Sequence, residues 1–353
     1  MVFRKRILVA PLNWGLGHAT RCIPLIKALQ DLGHEPVIAS DGVALALLEK
    51  EFPELETIAL PSYDIKYAKN GQFFKFKMLQ NSPKLVNAIK SERKTVNNIV
   101  KDKQIDGIIS DNRLGVYNKN VPSVFITHQL KVLSGNTTWL STKMHQKIIK
   151  RFNECWVPDN IGEDNLSGKL GHTEVQGIPV KYIGPLSRFN KTERPLKYDL
   201  MVLLSGPEPQ RTMLEHVLLD KLKSFDGNIV FVKGKVDGSS EKQTEGQMDI
   251  YNYMTSHTLE NALNESKFIL SRSGYTTVMD LAKLQKKAFF IPTPGQFEQE
   301  YLAKRLSKLG HVLSCKQNDF SVDKLANIED TKGLSSMNYT TNYKKLFSLF
   351  QSE

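Results

Sequence analysis

RILVAPLNWGLGHATRCIPLIKALQDLGHEPVIAS, residues 6–40, is the stretch on which the fold turns. Residues 6–10 (Arg-Ile-Leu-Val-Ala) are a short apolar run and are expected to form a buried strand. A glycine-bearing turn follows at 13–18. Then Ile23, Leu25, Ile26 and Leu29 recur at helical spacing. Gly33-His34 closes that helix, with Gly33 suited to the left-handed terminal position. Residues 36–40 read as the next strand. Strand, helix and strand in so short a span make a βαβ unit, whose strands must lie parallel.

The alternation continues outward from that unit. Strands are expected over 105–110, ending at Asp111, and over 121–127, ending at His128-Gln129. Two more are expected over 155–157 and 180–183, the last followed by Gly184-Pro185. Residues 187–198 (Ser-Arg-Phe-Asn-Lys-Thr-Glu-Arg-Pro-Leu-Lys-Tyr) are polar without a period and read as an interdomain linker. A second series follows, with strands over 199–204, 228–232, 268–270 and 288–291 and helices between. Residues 237–245 read as a polar surface loop, and 339–350 as a terminal helix. The expected architecture is α/β: two Rossmann-like doubly wound domains, 1–187 and 188–353, facing a central cleft. The terminal helix is a candidate to pack back on the first domain. Ligands of such sheets sit beyond the carboxyl ends of the strands.

Bulk composition agrees. A chain of 353 residues with 40% hydrophobic and 24% charged residues can bury two cores of its own. Cys22, Cys155 and Cys315 lie far apart, which excludes a metal-ligand spacing and a disulfide framework and fits a reducing cytoplasm. Neither a secretory signal nor a run of about 18 apolar residues is present. The chain is therefore expected to be cytoplasmic, either soluble or at the inner face of the plasma membrane. The net charge is +11, and residues 66–103 alone carry ten Lys or Arg against Glu92 and Asp102. Phe73-Phe74-Lys75-Phe76-Lys77-Met78-Leu79 interleaves cations with large apolar groups, which suits an anionic membrane at about 1 kcal/mol per basic residue. A solvated helical face beside ordinary core residues is the other reading of residues 66–79. No nucleic-acid-binding module accompanies the charge, so nucleic acid is not an expected partner.

Four stretches after strands can carry chemistry. In Gly15-Leu16-Gly17-His18 the glycines let the backbone approach a ligand, and a His at a helix N-terminus is pushed toward its neutral, basic form. The third glycine of the dinucleotide fingerprint is missing, so this is not that motif. In Ser271-Arg272-Ser273-Gly274-Tyr275-Thr276-Thr277-Val278-Met279-Asp280, residues Ser273, Thr277 and Asp280 are spaced for one helical face. A serine and helix-start N–H groups suit a pyrophosphate, and a carboxylate two turns on suits a ribose diol. An N-cap would account for Ser273 alone. Pro292 to Tyr301 makes a stiff turn into a helix whose Gln299 and Glu300 can bond sugar hydroxyls, or simply charge its first turn. Ser205-Gly206-Pro207-Glu208 follows the first strand of the second domain and is a further loop candidate.

Here the chain resembles the GT-B glycosyltransferases of family 28, whose best-known member adds N-acetylglucosamine to the lipid-linked peptidoglycan precursor. The match is densest at Arg272-Ser273-Gly274-x-x-Thr277-Val278-x-Asp280, with Asp280 where the family usually has Glu. Gln299-Glu300 resembles a paired-Gln sugar contact, Glu300 replacing the second Gln. Gly17-His18 resembles the end of the first glycine loop, which faces acceptor and diphosphate, while Gly184-Pro185-x-x-Arg188 resembles the segment that brings an Arg near the phosphates. Ser205-Gly206 resembles the loop opening the second domain. The resemblance implies the GT-B fold, a UDP-sugar donor, a carbohydrate or lipid-linked acceptor, an inverting reaction and no metal or other cofactor. On this reading His18 is the base, with Asp111, His128, Glu208 and Glu298 as alternatives, and Ser273-Gly274 with Arg188 stabilises the leaving diphosphate. A UDP-sugar hydrolase or epimerase of the same fold and a non-catalytic nucleotide-sugar-binding protein are the rival readings.

Overall fold

The structure, a computed structural model, describes residues 4–63, 83–206, 208–235, 241–334 and 341–351. The basic, aromatic segment 66–79 lies outside the described residues, as do parts of the 237–245 loop and of the 339–350 tail. The chain divides into two compact units. The first comprises residues 1–66, 73–187 and 339–353, and the second 67–72 and 188–338.

In the first unit the elements run β1 (Arg6–Pro11), α1 (Gly17–Asp31), β2 (Glu35–Ser40), α2 (Gly42–Glu51), β3 (Thr57–Ala59), α3 (Pro83–Asp102), β4 (Gly107–Asp111), β5 (Ser123–Ile126), α4 (Thr138–Ile149), β6 (Glu154–Val157) and β7 (Val180–Tyr182). All seven strands are parallel, in the order β3-β2-β1-β4-β5-β6-β7. Ile7, Leu8, Val9 and Ala10 are wholly buried, because helices cover both faces of a parallel sheet and leave its central strands no polar side. The direction of winding reverses between β1 and β4. In sheets of this kind the place beyond the carboxyl ends of those two strands is where ligands bind.

The second unit runs β8 (Tyr198–Leu203), α5 (Gln210–Lys221), β9 (Ile229–Val232), β10 (Gln243–Glu245), β11 (Met248–Tyr251), α6 (Ser256–Asn264), β12 (Ser266–Ser271), α7 (Tyr275–Leu284), β13 (Lys287–Phe290), α8 (Phe297–Lys308) and β14 (Leu313–Ser314). Its order is β10-β11-β9-β8-β12-β13-β14, parallel except for β10, and its winding reverses between β8 and β12. The polar loop expected over 237–245 ends in β10, an exposed edge strand that polarity alone disguised. Residues 187–197 have no regular structure, yet they are tied to the second unit. The Asn190 N–H donates to Glu260 (3.0 Å), the Thr192 N–H to Asn264 (3.1 Å) and the Lys197 N–H to the Glu265 carbonyl (2.9 Å).

The terminal segment returns to the first unit as α9 (Tyr343–Leu346) and a 3-10 turn, Phe347–Phe350, rather than one continuous helix. Phe347 and Phe350 lie with ring centroids 6.1 and 6.2 Å from buried Trp156. The start of β4 shows why: a side chain at Gly107 would occupy the place of the Phe350 ring.

Candidate functional site

In the first unit the site is built by helical spacing on one carboxylate. His18 lies in the first turn of α1, and Arg21 and Cys22 follow at i+3 and i+4, so all three share one helix face. That face meets Asp111, the last residue of β4, which is aligned with Pro11 at the end of β1. Asp111 is fully buried. Its Oδ1 accepts a bond from His18 Nδ1 (3.1 Å) and a very close ion pair from Arg21 Nη2. Its Oδ2 accepts from Arg21 Nε (2.5 Å) and from the Cys22 thiol (3.7 Å). Arg21 also donates to Nδ1 of His128 (3.3 Å), just past β5. The loops after β1, β4 and β5 thus bring His18, Asp111 and His128 together, with Gly15 and Gly17 in the turn leading to His18. Gly15 has φ +68° over open space, so its need for glycine is a backbone need.

Electrostatics assigns the parts. Burial would raise the Asp111 carboxyl, but Arg21 and His18 overcome this and hold it well below the usual range, so it stays ionised. Burial lowers His18 below its ordinary value, against the pull of Asp111, and Arg21 lowers it further. His18 is then a neutral imidazole near pH 7. An ionised carboxylate only accepts, so Nδ1 must carry the hydrogen, and the Nε2 lone pair is left to take a proton. The His18 side chain keeps 17% of its exposure, enough for contact with a small group. Asp111, expected as an alternative base, is ionised and spends Oδ1 on His18 and Arg21 and Oδ2 on Arg21 and Cys22. Burial, chiefly, raises the Cys22 thiol far above its ordinary value, so it remains a protonated donor.

A second buried network holds this loop. Arg113, wholly buried, donates to Glu92 (2.5 Å), Asp41 (2.6 Å) and the Pro61 carbonyl (2.8 Å). Asp41 accepts from Asn13 (3.1 Å), in the turn before His18, and Asn13 accepts from the Ala44 N–H (3.3 Å). Neither Arg21 nor Arg113 was singled out from the sequence. The i+3 spacing from His18 was the available signal for Arg21, whereas Arg113 offered none.

In the second unit the candidates after β8, β12 and β13 sort into framework and surface. Arg272 is buried, and its guanidinium donates to the carbonyls of Ile291 and Pro292 (3.1 Å each) and Gln210 (2.9 Å) and to Gln317 (2.8 Å). Burial brings its pKa down to about 10, so it remains charged while it fastens these loops. Ser273 precedes α7 instead of standing on its face, and its hydroxyl donates inward to the Gln299 carbonyl (2.8 Å). Gln299 is turned to its own loop, accepting from the Thr293 N–H (2.9 Å) and donating to Gln296 (3.0 Å). Glu208 clasps Arg211 (2.5 Å) and accepts from the Thr212 N–H (3.2 Å) in the first turn of α5.

Seven candidate residues remain near the surface. Gly274 caps α7 with open space where a side chain would stand. Thr277 and Asp280 are half-buried one and two turns into α7. Ser205 and Gly206 are exposed, Gly206 with φ +104°. Glu300 is exposed and accepts from the Gly295 N–H (2.9 Å). The Arg188 guanidinium stacks over Phe189 at 4.9 Å. The frame thus leaves a helix start, a glycine gap above it and a carboxylate further along the same helix.

Residues 210–348 match the glycosyltransferase family 28 C-terminal domain. The chain is 24% identical over 323 residues to the UDP-N-acetylglucosamine--N-acetylmuramyl-(pentapeptide) pyrophosphoryl-undecaprenol N-acetylglucosamine transferase of Buchnera aphidicola, covering 84% of this chain and 83% of that one. It is a family 28-like glycosyltransferase of the GT-B fold. An uncharacterized glycosyltransferase of Methanopyrus kandleri is 22% identical to this glycosyltransferase, over 85% of this chain and 89% of the relative. The solved structure of Phytolacca americana UGT2, complexed with UDP-2fluoro-glucose and pterostilbene, superposes with a TM-score of 0.65 at 14% identity, over 99% of both chains. Among the described residues of the glycosyltransferase, no helix is long and apolar enough to cross a membrane.

Proposed function

We propose that this glycosyltransferase moves a hexose or N-acetylhexosamine from a UDP-sugar to a hydroxyl of a carbohydrate or lipid-linked acceptor, with inversion and without a metal. The observation that carries the reading is His18, neutral and held in one tautomer by the ionised Asp111. The acceptor oxygen bonds to the anomeric carbon as the bond from that carbon to the diphosphate oxygen breaks. The hydroxyl proton passes to His18 Nε2, and the bonding pair leaves with UDP. The start of α7 at Ser273-Gly274, assisted by Arg188, answers the charge growing on the diphosphate. Asp280 takes the ribose diol and Glu300 a sugar hydroxyl, while Arg272 and Gln299 hold the loops that carry them. The Buchnera relative, an N-acetylglucosamine transferase by name, supports a UDP-linked N-acetylhexosamine. The expected place of action is the cytoplasm, at the inner face of the membrane if the acceptor is lipid-linked.

Thermal stabilisation by UDP, GDP, ADP and TDP, each in EDTA, tests the donor. Ligand at about 100 times its dissociation constant contributes about 2.7 kcal/mol. A UDP-selective shift that Asp280→Ala abolishes supports the reading, and the absence of a shift with every nucleotide refutes it. Labelled donor then separates transfer from hydrolysis by whether the label ends on an acceptor or on free sugar.

A further inference from the structure

The loop that carries His128 continues into a second feature, separate from the cluster around Asp111. A depression of about 540 Å³ is lined by Lys131, Asn136, Trp139, Lys143 and Thr173, with Thr138, Thr142 and Gln146 of α4. Its size lies within the roughly 300–1,000 Å³ of small-molecule sites. Its frame is built from inward-turned polar groups. Thr142 accepts from the Val132 N–H (3.1 Å), Thr138 from the Ser134 N–H (3.1 Å), and Gln146 donates to the Leu130 carbonyl (3.2 Å). The Lys131 N–H donates to the Leu170 carbonyl (2.9 Å).

On this frame stand two lysines and no acid, beside Trp139, which keeps 69% of its exposure. An indole so exposed gives up the free energy that burying a large aromatic returns, on the order of 2–3 kcal/mol. Its flat apolar face fits the C–H face of a pyranose ring. Two lysines in a lining that includes no acid fit a phosphate. Thr138, Thr142, Gln146 and Thr173 bond to the frame, so the exposed lining is mostly carbon, as the C–H faces of a sugar require, and Asn136 adds an amide.

We propose that this depression binds a phosphorylated carbohydrate, its sugar ring on Trp139 and its phosphate on Lys131 and Lys143. Lys131 lies three residues beyond His128, so the site belongs to the unit that carries the base. The inference rests on the reading of that unit as the acceptor side, and makes the acceptor an anionic glycan held at a second point.

Full-length protein titrated with N-acetylglucosamine 1-phosphate tests it, followed by tryptophan fluorescence and calorimetry. The expected result is saturable binding, weakened about tenfold by each of Lys131→Ala and Lys143→Ala and lost in Trp139→Ala. N-Acetylglucosamine and inorganic phosphate alone should each bind at least about tenfold more weakly. Stabilisation by UDP, read on the same variants, should persist. Failure to bind the sugar phosphate, or equal affinity in a Lys131→Ala/Lys143→Ala double variant, overturns the proposal while UDP stabilisation leaves the donor reading standing. Binding only to phosphatidylglycerol vesicles overturns it in favour of a membrane contact.

Discussion

Replacing Asp111 by Asn removes one negative charge and keeps the size of the side chain, and it isolates what that charge does. In the native protein Oδ1 accepts from His18 Nδ1 at 3.1 Å, which forces the hydrogen onto Nδ1. An amide can instead donate to Nδ1, and the hydrogen then moves to Nε2, where no lone pair remains to accept a proton. Turnover should fall by ~10²–10⁴, the usual worth of a general base. The same change leaves Arg21, 1% exposed, without its counter-charge, which costs about 3–5 kcal/mol of stability. These two effects are separable. His18→Ala should lower turnover by the same ~10²–10⁴ while leaving the Arg21–Asp111 pair, and so most of the stability, in place. If the two residues act as one unit, the double variant is no slower than either single one. Steady-state turnover of the three variants, with melting temperatures and UDP stabilisation to certify folding, completes the cycle. Additive losses would refute the coupling, and unchanged turnover in folded His18→Ala would remove His18 from the reaction. The pH profile gives an independent check. His18 titrates below its ordinary 6.5 and acts when neutral, so kcat/KM should hold flat through neutrality and fall only on the acid side, below pH 6.5.

Two further outcomes concern stability. His145 is buried edge-on to Phe125, and burial, aided by the charge of His128, lowers its pKa to about 4. Its folded pKa lies below the unfolded value, so the unfolded chain takes the proton first; stability is complete above about pH 6.5 and declines toward pH 4, by about 2 kcal/mol at pH 5. His145→Leu should flatten the melting temperature between pH 7 and pH 5, and an unchanged slope would count against this assignment. Phe350→Ala should destabilise the first unit by about 3–5 kcal/mol, and Gly107→Ala, whose methyl meets the Phe350 ring, by about 1–3. In the Phe350→Ala background Gly107→Ala should cost almost nothing, because the methyl enters the space the ring left; a full additive cost by denaturant unfolding would show that the two do not share that space.

The two sheets were legible because parallel strands covered on both faces must be apolar throughout, as at Ile7 to Ala10. The short strands were not. Thr57–Ala59 and Leu313–Ser314 span two or three residues, and Gln243–Glu245 is exposed along its whole length, so no hydrophobic alternation marks any of them. They are held by backbone pairing with a neighbour already in place, a tertiary cause that local sequence does not express.

The site was legible in a different measure in each unit. Positions just past strands were found because chain connectivity forces loops to the sheet edge, and His18, Asp111 and His128 were read that way. What a side chain does there was harder. Arg272, Ser273 and Gln299 have the chemistry of ligand contacts, and in the structure they bond to loop carbonyls, a loop N–H and one another's backbone. A motif records that a residue type is required, not whether it faces the ligand or the frame, because a guanidinium meets a carbonyl and a phosphate with the same donors. The distinction has a consequence for variants. Asp280→Ala should remove a contact and leave the loops standing. Arg272→Lys, which cannot reach four acceptors from one ammonium, should loosen the Gln210, Ile291 and Pro292 loops together. An arginine that shapes the site from behind is therefore as specific to it as the carboxylate in front.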